Sequence, residues 1–193
     1  QFGAPGPFKL EVMVERLPPG CRDGRDNDGD SLIDGEDVGC ANAEDEDERD
    51  PPEGELPACG NGEDDDGDGD VDFPLDPGCS VRGDVDEVDP EVPPACSNRF
   101  DDDGDDRVDF PAEPGCQSRG DDDETNPMAA PQCSNRLDDD QDSLTDYPND
   151  PGCASAGDSG ERDPMVRPAC SNAEDDDRDG LADYPFDSGC VAA

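Results

Sequence analysis

The sequence predicts a mostly irregular chain: a tandem-repeat rod with little regular secondary structure, braced by disulfides and bound cations, with one β-strand at its N-terminus. Three observations predict it. Only 29% of the 193 residues are hydrophobic and Trp is absent, so a conventional core is out of reach. The 57 acidic residues outweigh 13 basic ones, giving a formal charge of -44 whose self-repulsion would keep an ordinary chain expanded. The ten Cys recur at long, regular spacings, the mark of an internal repeat. Such a chain compacts only when its charge is neutralised. Nucleic acid and anionic membrane carry the wrong sign, no apolar run is long enough for a membrane span, and cations remain as the natural partners.

The first element covers residues 1–20. In FKLEVMVERL, Phe8, Leu10, Val12 and Val14 alternate with Lys9, Glu11, Met13 and Glu15, the period of a half-buried strand. A lone strand is unstable and its edge is a template for another chain. Two readings follow: head-to-tail self-association into a filament by strand addition, or the last strand of an upstream domain. No charged-then-apolar leader opens the chain, which therefore reads as a mature or excerpted form.

Five units come next, at 21–58, 59–95, 96–132, 133–169 and 170–193, the last with a truncated spacer. The period is 37 residues, 38 for the first. Each unit opens and closes on a Cys: Cys21 and Cys40, Cys59 and Cys79, Cys96 and Cys116, Cys133 and Cys153, Cys170 and Cys190. Pairing within units uses every thiol and closes loops worth about 3 kcal/mol each. Pairing between neighbours would strand Cys21 and Cys190, which would then join successive molecules. Ten Cys in a His-free chain point to an oxidising compartment, hence an extracellular or cell-surface location.

Within each unit four aspartates keep fixed offsets from the opening Cys. They are Asp26, Asp28, Asp30 and Asp34, then Asp64, Asp66, Asp68 and Asp72, then Asp101, Asp103, Asp105 and Asp109. The fourth unit has Asp138, Asp140, Asp142 and Asp146, the fifth Asp175, Asp177, Asp179 and Asp183. This D-x-D-x-D-x-x-x-D spacing wraps the chain round a cation, with loop positions one, three, five and nine facing inward. Position seven lends a backbone carbonyl, here from Leu32, Asp70, Arg107, Leu144 or Leu181. A crowded, flexible, all-oxygen cage suits calcium better than magnesium, which keeps its waters.

The next ligand is expected from the acid three residues before each closing Cys: Asp37, Asp76, Glu113, Asp150 or Asp187. Spacer acids are the second candidates. Asp45, Asp84, Asp121 and Asp158 lie five residues after the closing Cys, and Glu48, Glu87, Glu124 and Glu161 lie eight after it. They would cap the same ion or build a second metal site between units, so five calcium ions are expected, rising to about ten with spacer sites. Asp23, Asn61, Asn98, Asn135 and Asn172 are either ligands or turn holders. Phe73, Phe110, Tyr147 and Tyr184, each before a Pro, are expected as aromatic lids on the disulfides, with sugar stacking as the rival role. Gly39, Gly78, Gly115, Gly152 and Gly189 precede the closing Cys and are expected to take a positive φ.

The loops resemble those of EF-hands, but depart from them. Position six is Ser31, Gly69, Asp106, Ser143 or Gly180 instead of an unvarying Gly, and position twelve is Leu75, Ala112, Asn149 or Phe186 in the last four units. Pro and Gly also interrupt every stretch where a flanking helix would form. The thrombospondin type 3 repeat is a closer resemblance, and implies aspartate-rich loops and disulfides strung into a calcium-filled structure. The wording C-S-N-x-x-D-D-D…D-Y-P-x-D-P-G-C is similar to a repeat of secreted and surface proteins of myxobacteria, over residues 21–190, which implies location more than activity. The expected function is a calcium-stiffened structural rod or fibre subunit, the alternative a calcium-dependent adhesin or module binding surface glycans. An enzyme is not expected: there is no His and no composition for a cleft that would tune one carboxylate against another.

Overall fold

The computed structural model describes residues 18–52, 54–190 and 192. The strand expected in FKLEVMVERL lies outside the described residues. Among the described residues there is no β-strand, and every helix is a 3-10 turn of three residues. No described helix is long and apolar enough to cross a membrane.

Five of these turns carry the opening Cys: Gly20–Arg22, Ala58–Gly60, Ala95–Ser97, Gln132–Ser134 and Ala169–Ser171. Each follows a proline, Pro19, Pro57, Pro94, Pro131 or Pro168. Proline holds φ near the helical value and has no N–H to leave unpaired, so the chain enters each turn in a fixed direction. The sixth turn, Asp34–Glu36, belongs to the first unit alone. The other four units place an aromatic–proline pair there, with Phe73-Pro74, Phe110-Pro111, Tyr147-Pro148 and Tyr184-Pro185 all cis.

All five disulfides close within their own unit, Cys21–Cys40 through Cys170–Cys190. The backbone N–H of Phe73, Phe110, Tyr147 and Tyr184 donates to the carbonyl of its unit's opening Cys at 2.9–3.0 Å, which sets the residue beside the bridge. Phe73 packs with Cys59 and Cys79 into a small buried cluster, the lid arrangement expected from the sequence.

The interior is otherwise acidic. The largest fully buried side chains are Glu48, Glu87, Glu113, Glu124 and Glu161, followed by Asp37, Asp76 and Asp150. Carboxylates are almost never fully buried without a partner, so these eight groups mark where the fold's stability is decided.

The glycine before the closing Cys corrects one expectation. Gly39, Gly78, Gly115, Gly152 and Gly189 are not among the residues with positive φ. Their need is room: a Cβ on Gly39, Gly78, Gly115 or Gly152 would come within 1.9 Å of the backbone carbonyl of Glu48, Glu87, Glu124 or Glu161. The spacer folds back against its own disulfide too closely for any side chain.

In the second, third and fourth units the start of the spacer turns the other way, onto the preceding unit. Arg82 N–H donates to Gly35 O at 2.9 Å, Arg119 N–H to Pro74 O at 3.0 Å and Ala156 N–H to Pro111 O at 2.9 Å. Beside them Gly83, Gly120 and Gly157 press on the carbonyls of Cys40, Cys79 and Cys116, where a Cβ would lie 2.2, 2.2 and 2.5 Å away. Successive units are thus joined by backbone contact, not by slack linkers.

Candidate metal centre

Each loop is built from aspartates whose oxygens hold its own backbone. The carboxylate at position three accepts the N–H of position five in all five units: Asp28 from Asp30, Asp66 from Asp68, Asp103 from Asp105, Asp140 from Asp142 and Asp177 from Asp179, at 3.0–3.1 Å. Position five accepts the N–H of position seven in the same way: Asp30 from Leu32, Asp68 from Asp70, Asp105 from Arg107, Asp142 from Leu144 and Asp179 from Leu181, at 2.7–2.8 Å. Position one accepts from positions four and six in the first, third and fourth loops: Asp26 from Gly29 and Ser31, Asp101 from Gly104 and Asp106, Asp138 from Gln141 and Ser143. Asp64 accepts from Gly67, and Asp175 from Gly180. Local side-chain bonds of this kind are what Asp offers a turn. In each case at least one oxygen lone pair is left for a ligand.

The turns are tight enough to need left-handed backbone. Position six has φ of 89° at Ser31, 106° at Gly69, 75° at Asp106, 84° at Ser143 and 96° at Gly180. The conformation that EF-hand loops obtain from Gly is therefore kept where the residue is not Gly, at ~1 kcal/mol each.

The result is convergence. Asp26, Asp28 and Asp30 have carboxylate oxygens within 4.8 Å of one another, as do Asp64, Asp66 and Asp68; Asp101, Asp103 and Asp105; and Asp138, Asp140 and Asp142. Position nine is used differently. The carboxylates of Asp34, Asp72, Asp109, Asp146 and Asp183 accept the N–H of Gly24, Gly62, Arg99, Arg136 and Ala173 at 2.6–3.0 Å, ten residues earlier. They tie the end of the loop to its beginning.

Two sets of buried acids complete the unit. Glu48, Glu87, Glu124 and Glu161 are 1–2% exposed, and both their oxygens are engaged. One accepts the N–H of loop position two, from Asn27, Asp65, Asp102 or Asp139, at 2.5–2.7 Å. The other accepts the N–H of position nine, from Asp34, Asp72, Asp109 or Asp146, at 2.7–2.9 Å. Each spacer glutamate is a latch across its own loop. The spacer aspartates act through the backbone: the carbonyls of Asp45, Asp84, Asp121 and Asp158 accept the N–H of Cys21, Cys59, Cys96 and Cys133.

The second set is the acid before the closing Cys. Asp37, Asp76, Glu113 and Asp150 are 0% exposed. One oxygen accepts the N–H of the neighbouring Gly39, Gly78, Gly115 or Gly152, and the other is buried with no hydrogen-bond partner. Burial, and then the charges of Asp30 and Asp28, push the Asp37 carboxyl up to about 6. Burial does the same for Asp76, also about 6, with Glu87 and Asp68 adding to it, and for Asp150, about 6, with Asp142, Glu161 and Asp140. Glu113 reaches about 7 through burial, Asp105 and Asp103. The orphan oxygen thus sits among the charges of loop positions three and five. Asp187 accepts the Gly189 N–H but is only half-buried, since among the described residues no spacer covers it.

A four-residue signal was missed in the sequence. Asp50, Asp89, Asn126 and Asp163 lie ten residues after the closing Cys, each before a Pro, and the fold brings them against the loop acids. Burial and then Asp30 and Asp28 raise Asp50; burial and then Asp68, Asp66 and Asp70 raise Asp89. Asn126 Nδ2 donates to Asp105 at 2.8 Å. The Asn residues after the opening Cys prove to be turn holders. Asn61, Asn98, Asn135 and Asn172 accept the N–H two residues on at 2.7 Å and donate to the acid four on.

The donor set fits a hard divalent cation: converging carboxylates and one buried anionic oxygen that no protein donor satisfies. Without the metal, Asp37, Asp76, Glu113 and Asp150 hold protons more tightly folded than unfolded. The stability they bring is whole below about pH 4 and is lost as pH rises through 6 to 7. Under a chelator the chain is therefore expected to melt at higher temperature at about pH 5 than at about pH 8. Calorimetry checks this, and a melting temperature that instead climbs with pH would contradict it.

No family model, curated protein or solved structure matches the chain.

Proposed function

We propose that this chain is an extracellular structural repeat protein in which each of the five loops holds one calcium ion, and that ion binding converts it from an expanded polyanion into a stiff rod, spacer or fibre subunit. The observation that carries the reading is the unpartnered buried oxygen of Asp37, Asp76, Glu113 and Asp150 beside three converging aspartates. A protein that buries four such anions needs a cation for each. The ligands are the acids at loop positions one, three and five, the carbonyl at seven, and the acid before the closing Cys. Calcium is favoured because the set is all oxygen, strongly anionic and larger than an octahedron of waters and one or two carboxylates would need.

Five disulfides support an oxidising, extracellular setting. Five ions rather than about ten are favoured because the spacer glutamates spend both oxygens on loop N–H groups. The role is read as structural rather than catalytic, since these acids surround a point instead of flanking a substrate cleft. Weak affinity, in the range of extracellular modules, goes with this role. Native mass spectrometry of the full chain in calcium is expected to show five bound ions, with far fewer retained in magnesium. A chain that binds no ion at millimolar calcium would overturn the reading.

A further inference from the structure

The spacers of the second, third and fourth units each touch two units at once. In the second unit its first half meets the first, through Arg82 N–H to Gly35 O and Gly83 against Cys40 O. Its second half lies on the second unit's own loop, through Glu87 to the N–H groups of Asp65 and Asp72. The third and fourth spacers repeat the arrangement with Arg119 and Glu124, then Ala156 and Glu161. What fixes the spacer to its loop therefore also fixes one unit to the next.

We propose that the residue ten after each closing Cys is a further ligand of the loop's cation, so that the ion clamps the spacer to the loop and locks the junction with the preceding unit. This rests on the reading that the loops bind a divalent cation. Asp163 shows the placement best: its N–H reaches Asp140 Oδ2 at 3.5 Å, and its Oδ1 is buried without a partner. The Asp140 that it meets is also one of the charges acting on Asp150, whose own buried oxygen is unpartnered. In the third unit Asn126 stands at the same point, its N–H on Asp103 at 3.4 Å and its Nδ2 on Asp105 at 2.8 Å. There a neutral amide donates directly to the loop acids. In the fourth unit Arg167 pairs with Asp163 Oδ2 at 2.8 Å and lies 3.9 Å from Asp142, leaving Asp163 Oδ1 unpartnered, and in the first and second units a like charge faces the loop acids. Repulsion among Asp50, Asp28 and Asp30, or among Asp89, Asp66 and Asp68, would otherwise push the spacer off the loop. A cation reverses the sign of that force. The third site, one negative charge poorer through Asn126, is the weakest of the four that carry a full spacer.

The test uses the full chain and calcium itself. Asp89→Ala should weaken one site by at least about tenfold, lowering the native-mass stoichiometry by one at limiting calcium. In saturating calcium it should raise hydrogen exchange at the Arg82 amide while those of Arg119 and Ala156 stay protected. Asn126→Asp should tighten one site, and Asp89→Asn should fall between Asp89→Ala and the parent. If the parent binds its ions and Asp89→Ala alters neither affinity nor Arg82 protection, the inference is overturned and the calcium reading stands. If affinity falls but Arg82 stays protected, the junction lock is overturned. A parent chain that binds no calcium removes the reading on which both rest.

Discussion

Removing divalent cations at neutral pH, with every disulfide intact, is expected to abolish the slow amide exchange of the loops along the whole chain. At a free calcium level 100 times the dissociation constant, each ion contributes about 2.7 kcal/mol to the folded state. Five such sites together contribute about 13 kcal/mol, as much as the usual net stability of a domain, about 5–15 kcal/mol. The protein has nothing to replace them. Its buried side chains beyond the cystines are chiefly carboxylates, its formal charge is -44, and buried carboxylate oxygens of Asp37, Asp76, Glu113, Asp150, Asp163 and Asp183 lack any hydrogen-bond partner. The disulfides would keep each loop closed but would not hold acids side by side. The informative amides are those of Asp65 and Asp72 on Glu87, and of Asp102 and Asp109 on Glu124. Exchange that is equally slow with and without chelator would mean that the cystines alone maintain the fold, and the metal account would fall.

Glu124→Ala is expected to produce the largest effect of any single substitution. It takes the acceptor from the N–H groups of Asp102 and Asp109. Hydrogen bonds to a charged acceptor are worth about 1.5–3 kcal/mol each, so the local loss is about 3–6 kcal/mol. In a repeat array that loss stays near its unit: calcium affinity at the third site and protection around Cys96–Cys116 should collapse while the first unit is unchanged. Glu124→Gln should lose roughly half as much, because one oxygen survives and the amide nitrogen faces an N–H. A Glu124→Ala chain with parental exchange rates in the third unit would show that the latch does not carry the loop.

Much of this was legible in the residues because a repeat writes each requirement five times. The D-x-D-x-D alternation is local, and its turns close within four or five residues, so spacing alone predicts that positions one, three and five converge. The acid before the closing Cys is expected as a ligand because loop position twelve offers none in the last four units. Counting along a loop gives position nine as one more inward acid; the fold adds a second task, since its carboxylate also reaches back ten residues to the opening turn. The glycines before the closing Cys were read as conformational, whereas they answer a spacer carbonyl nine residues further on. Asp50, Asp89, Asn126 and Asp163 were overlooked because nothing in their own neighbourhood requires them.

The sequence by itself determined the period, the loops, the scarcity of regular secondary structure and the need for neutralising charge. These follow from local geometry and composition, which act over a few residues or over the chain as a whole. Only the tertiary structure decided which cysteines pair, which acids are buried and which unit each half of a spacer touches. Those choices depend on contacts between segments tens of residues apart, where a carboxylate that accepts two N–H groups and one that waits for a cation are the same letter in the sequence. The acidic spacers look alike along the chain, but the fold makes their glutamates latches, their glycines joints and their tenth residues the closing edge of a cation site.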